Sequence, residues 1–124
     1  MILEVKKAIT TAMAKVTGLS FAFDLMPTGN VYPYSVMYLD FKNDFMYSGK
    51  LQNASLQVNT TVKTRDAATI ETLTDLIEKE LDGLTISNTV CGTTAFRQIV
   101  RKSVISDNKE GQSVMLYTFT VFNA

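Results

Sequence analysis

Both prolines of the chain, Pro27 and Pro33, bracket Gly29 within residues 24–41, and no other stretch limits the fold as much. Proline holds φ at about −65° and lacks an amide donor, so Pro33 belongs at the first residue of a strand or on a sheet edge. The strand predicted after it, residues 34–41, is apolar on both faces. Tyr34, Val36 and Tyr38 point one way, while Met37, Leu39 and Phe41 point the other. Such a strand is expected to be covered on both sides in the working protein.

The rest of the chain supplies partners for that strand. Ile2, Val5, Ile9, Ala12, Met13 and Val16 recur at three- and four-residue steps and predict a helix over residues 2–16, closed by Gly18. A short strand is expected over residues 19–25. Residues 51–63 alternate cleanly, with Ala54, Leu56, Val58, Thr60 and Val62 against Ser55, Gln57, Asn59 and Thr61, as a half-buried strand does. Asp66 is placed to cap a second helix with the stripe Ile70, Leu73, Leu76, Ile77 and Leu81, which Gly83 ends. Residues 84–86 read as a short strand and residues 87–94 as a polar loop. The last third predicts a hairpin, residues 95–105 and 112–122, turning through 106–111. Its final strand is again apolar on both faces. The pattern predicts a single α+β domain over residues 1–124, with a mixed, largely antiparallel sheet of four to five strands and two amphipathic helices.

Composition narrows the function. Twelve basic and twelve acidic residues cancel, which argues against a dedicated nucleic-acid binder and permits self-association. The chain has no histidine and one cysteine, Cys91. Common zinc, copper and haem ligand sets and a Ser-His-Asp unit therefore cannot be built, and no phosphate-binding glycine loop is present. No catalytic residue, cofactor or metal is expected. Glu4, Lys6 and Lys7 interrupt the place of a signal-peptide core, and no apolar run reaches the ~20 residues of a membrane span. A soluble, cytoplasmic protein is expected.

Candidate contact residues come from two places. Residues 42–50 carry turn formers around Phe45, Met46 and Tyr47, an aromatic and methionine tip that serves either as an interface anchor or as a cap on the core. Arg97, Arg101 and Lys102 lie along one hairpin strand, with Arg97 and Arg101 expected on the same face. They either meet an acidic neighbouring subunit or passing DNA phosphates, or simply form a wet, charge-blunted strand. The apolar surplus on residues 34–41 and 112–122 exceeds what two short helices obviously cover, so a second copy is expected over one sheet face.

The order of these elements resembles the tail terminator, or tail completion, proteins of long-tailed bacteriophages. The residues that carry the resemblance are the N-terminal helix over residues 2–16, the strand over residues 21–25, the turn Pro27-Thr28-Gly29, and the strand Pro33-Tyr34-Ser35-Val36-Met37. The strand Leu56-Gln57-Val58-Asn59-Thr60-Thr61-Val62, the turn Thr64-Arg65-Asp66, the second helix and the closing hairpin complete it. The resemblance implies a structural virion protein forming a ring, usually six-fold, on the head-proximal end of a tail tube. Its partners would be copies of itself, the tail tube protein and a head-completion or connector protein, with DNA only passing through the lumen. A different neck component, or a small ligand-binding or regulatory α+β domain, stands as the alternative.

Overall fold

The computed structural model of the chain describes residues 2–25, 27, 32–46, 51–63, 67–89, 91–105 and 110–123. The elements in order are α1 (Ile2–Met13), β1 (Ser20–Phe23), β2 (Tyr34–Met46), β3 (Leu51–Val62), α2 (Ala67–Leu81), β4 (Cys91–Thr93), β5 (Arg97–Ile105) and β6 (Gly111–Asn123). They build the expected α+β architecture. β1 runs parallel to β2, and β2–β3, β3–β6, β4–β6 and β5–β6 are antiparallel. The sheet has six strands where four or five were expected, because β5 and β4 pair with successive lengths of one edge of β6.

Local signals account for the helix ends. Gly18 and Gly83 take φ of +81° and +80°, left-handed conformations open to glycine at no Cβ cost, and Gly83 closes α2. The first helix stops at Met13 rather than at residue 16: the amides of Lys15 and Val16 turn back to the carbonyls of Ala12 and Met13, and Gly18 ends these turns instead of the helix. The predicted cap Asp66 lies outside the described residues. The apolar stripes of both helices reach the same side of the sheet. Val5, Ile9, Met13 and Val16 of the first helical segment join Ile77 and Leu81 of α2 over Met37, Leu56, Val58, Met115, Tyr117, Phe119 and Val121. These sheet residues stand in rungs, Met37–Val58–Met115 and Leu39–Leu56–Tyr117, so one face of three adjacent strands is apolar without a break. Phe96 stacks on Phe119 with ring centroids 4.0 Å apart. Burial of such side chains contributes roughly 1.5–3 kcal/mol each.

Three expectations are corrected. Phe45 and Met46 are not in a loop: β2 passes a register shift after Phe41 and continues to pair Phe45 with Gln52 and Met46 with Leu51. Gln52, itself buried, donates from Nε2 to the Lys42 carbonyl at 2.6 Å, which satisfies a backbone group within the irregular stretch. Residues 84–86 are not a sheet strand, whereas Cys91–Thr93, expected as polar loop, is β4. Small side chains make this possible. Gly92 sits under the Phe122 ring, Cys91 is buried, and Thr93 Oγ1 accepts from the Ile86 amide at 3.1 Å. Leu76, expected in the buried stripe of α2, is exposed, and Thr74 is buried instead with its hydroxyl donating to the Ile70 carbonyl at 2.7 Å.

Candidate functional site

With both helices on one side, the opposite face of the sheet carries no helix among the described residues. Its rungs are Tyr34–Thr61–Gln112–Val104, Val36–Asn59–Val114–Lys102 and Tyr38–Gln57–Leu116–Val100. β3 contributes an uncharged polar stripe, and apolar side chains flank it on β2 and on β5–β6. Tyr38 and Val104 are 42% and 49% exposed, high for side chains of their size on a sheet face. A hollow of about 230 Å³ opens there between Tyr34, Val36, Tyr38, Asn59 and Val114. The strand after Pro33 therefore has one face in the core and the other without a helix over it, where Val36 is buried and Tyr38 is exposed.

The two arginines expected on one face are separated. Arg97 pairs with Thr118 and Arg101 with Met115, with a bulge between Gln98 and Val100. The extra residue reverses the alternation, which sends Arg97 to the open face and Arg101 to the helix side. Arg101 is held by α2. Its Nη2 lies 2.6 Å from Asp75 Oδ1 and 2.9 Å from Glu71 Oε2, and its Nη1 donates to Glu78. Hydrogen bonding to Asp75 first, and then to Glu71, outweighs desolvation and raises the guanidinium above its ordinary value. Glu71 is held below the usual carboxylate range by the Ser103 hydroxyl, donating at 2.6 Å, and by Arg101.

Phe45 and Met46 lie at the far end of the β2–β3 ladder, where their side chains are outside the described structure, and Tyr47 is outside the described residues. The structure thus does not bring the five expected contact residues together. It adds others. Lys42 and Arg97 border a second hollow, of about 290 Å³, with Asn53, Thr94, Thr118 and Thr120. A groove of about 560 Å³ runs between α2 and the start of β2, lined by Tyr32, Pro33, Val62, Leu73 and Leu76. Desolvation there raises the Tyr32 phenol above its ordinary value, with Glu110 adding to the shift. The apolar character of both faces of β2 and β6 was the sequence signal for the open face. Nothing comparable marks Lys42, which follows Phe41 at the start of the register shift in β2.

Fold and surface together define an α+β protein whose sheet is packed by helices on one side and presents the other. No protein-family model matches the chain, and no curated protein is significantly similar to it in sequence. Among solved structures, a chain described as part of the virion of a native gene transfer agent particle has this fold. The match has a TM-score of 0.75 at 12% identity and covers 98% of this chain and 96% of that one.

Proposed function

We propose that this chain is a structural virion protein that caps the head-proximal end of a phage tail tube. Acting as one domain over its whole length, it forms a ring of six copies that ends tube polymerisation and offers a docking surface to the head connector. The observation that carries the reading is the open sheet face, where Tyr38, Val100 and Val104 leave apolar surface exposed beside an uncharged polar stripe. The fold likeness to a gene transfer agent virion chain, spanning nearly all of both chains, supports a place in a particle of that kind. The mechanism is occupancy: a bound ring covers the growing end and presents no equivalent end to the next tube subunit. A ring needs two different complementary patches on each copy. The open face, Arg97, and the Phe45, Met46 and Tyr47 end of the β2–β3 hairpin are the proposed contacts. DNA passes through the lumen, and no catalytic step is involved.

The test combines the purified chain with growing tail tubes under the electron microscope. A ring at one tube end and arrested elongation are expected; unchanged elongation at saturating protein refutes capping. Binding to head connectors but not to tube ends would make the chain a different neck component. Replacing Tyr38 and Val104 by serine should change folding stability by no more than about 0.5 kcal/mol, as exposed sites do, while weakening self-association. One observation favours a second reading, a small ligand-binding domain: the groove beside α2 is in the size range of ligand pockets.

A further inference from the structure

The chain is neutral overall, yet one acidic group and one basic group stand on opposite sides of the sheet. On the helix side, Glu71, Asp75 and Glu78 share the single guanidinium of Arg101, so this flank of α2 keeps two negative charges in surplus. Glu71 and Asp75 remain about half and two-thirds exposed, so their outer oxygens can accept further donors. Exposed Leu76 lies next to them on the same helix.

On the open side, Lys42 and Arg97 border the hollow of about 290 Å³ from opposite margins. Exposed Asp40 shares the rung Asp40–Ser55–Thr118–Arg97 but does not line the hollow, whose charged lining is these two cations. Between them lie β3 and β6, so their strands are three strand spacings, roughly 14 Å, apart. The floor offers Asn53 and Thr118, with Thr120 donating to Asn53 at 3.3 Å. Two cations and a hydroxyl-lined floor make a receptor for carboxylates, and the flank of α2 presents carboxylates in surplus. The flank and the hollow lie on opposite sides of one sheet, so a chain cannot bring its own together.

We propose that the occupant of this hollow is the acidic flank of α2 from a second copy of the chain. The contact is head-to-tail: each copy uses its Glu71–Asp75 side toward one neighbour and its Lys42–Arg97 hollow toward the other, as a heterologous interface requires. Complementary charge of this kind steers encounter and sets orientation. The apolar neighbours, Leu76 on one side and Val100 on the other, supply area beside it. The proposal rests on the self-association in the reading above and is independent of tube capping.

Sedimentation of the full chain tests it. Self-association should weaken at least about tenfold in Arg97→Glu with Lys42→Glu, and similarly in Asp75→Lys, and should fall as salt is raised. Combining Asp75→Lys with Arg97→Glu should restore part of the loss, because the contact between positions 75 and 97 then has its charges exchanged while Lys42 and Glu71 keep theirs. Asp75→Asn, which leaves Arg101 its bonds to Glu71 and Glu78, provides a fold-preserving companion and should give a smaller loss in the same direction. Unchanged association in the reversals, or no recovery in the combined variant, overturns the proposal. So does a wild-type chain that stays monomeric both free and on tube ends. Binding of a short DNA duplex that disappears in Arg97→Glu would assign the hollow to phosphate instead. A chain that passes these tests but does not cap tubes keeps this interface and loses the capping function.

Discussion

Replacing Arg101 by methionine keeps the apolar stem and removes the charge that joins β5 to α2. The wild-type guanidinium meets Asp75 at 2.6 Å, Glu71 at 2.9 Å and also Glu78. Each carboxylate is at least 30% exposed, so solvent screens every pair. Exposed pairs contribute about 0.2–1 kcal/mol, and three of them about 1.5 kcal/mol together. Unmasking the Glu71–Asp75 repulsion at i, i+4 adds about 0.3 kcal/mol. The expected loss is about 2 kcal/mol at neutral pH, or roughly 8 °C in melting temperature for a chain of this size. Glu71 gives the sign with pH. Its folded value is depressed, so its contribution is complete above the ordinary carboxylate range and disappears as pH falls through the folded value. Urea unfolding of both proteins at neutral pH and at about pH 3 should therefore show a gap that closes in acid. Arg97→Met, on the open face, should leave the midpoint within about 0.5 kcal/mol of wild type. A gap that persists at low pH, or equal losses for the two arginines, would refute the placement of Arg101 among the carboxylates.

Two further substitutions test the packing. In Gly92→Ala the added methyl would lie 2.6 Å from Phe122 Cε2 and 3.3 Å from the Ile86 carbonyl, so the ring must shift. A loss of roughly 1–2 kcal/mol in urea unfolding is expected, and an unchanged midpoint would show that Phe122 does not lie over β4. Ser113→Ala removes a buried hydroxyl that has no partner among the described residues, in the rung Ser35–Thr60–Ser113–Ser103. Stability should hold or rise by about 1 kcal/mol; a loss of that size would mean the hydroxyl is hydrogen-bonded in solution.

Sequence by itself determined the elements whose signal is local. The three- and four-residue spacing of Val5, Ile9 and Met13, and of Ile70 and Ile77, identified both helices, and the glycine at 83 identified the end of the second. Alternation along residues 54–62 identified β3 and the face it buries. These signals are complete within a few residues, because helix and strand periodicity and a left-handed cap are properties of neighbouring positions.

Only the tertiary structure decided which faces met. The run Cys91-Gly92-Thr93 has no apolar alternation, and it becomes a strand because the edge of β6 supplies its hydrogen bonds and the Phe122 ring covers its glycine. Arg97 and Arg101 have the even spacing of one face, but the bulge near Ile99 is set by the register of β5 on β6, and it reverses the parity between them. Strands apolar on both sides, as Tyr34–Met46 is at its start, carry no instruction about which side the helices take. That choice follows from how α1 and α2 pack over the assembled sheet, a long-range outcome, and it leaves the face of Tyr38 and Val104 open.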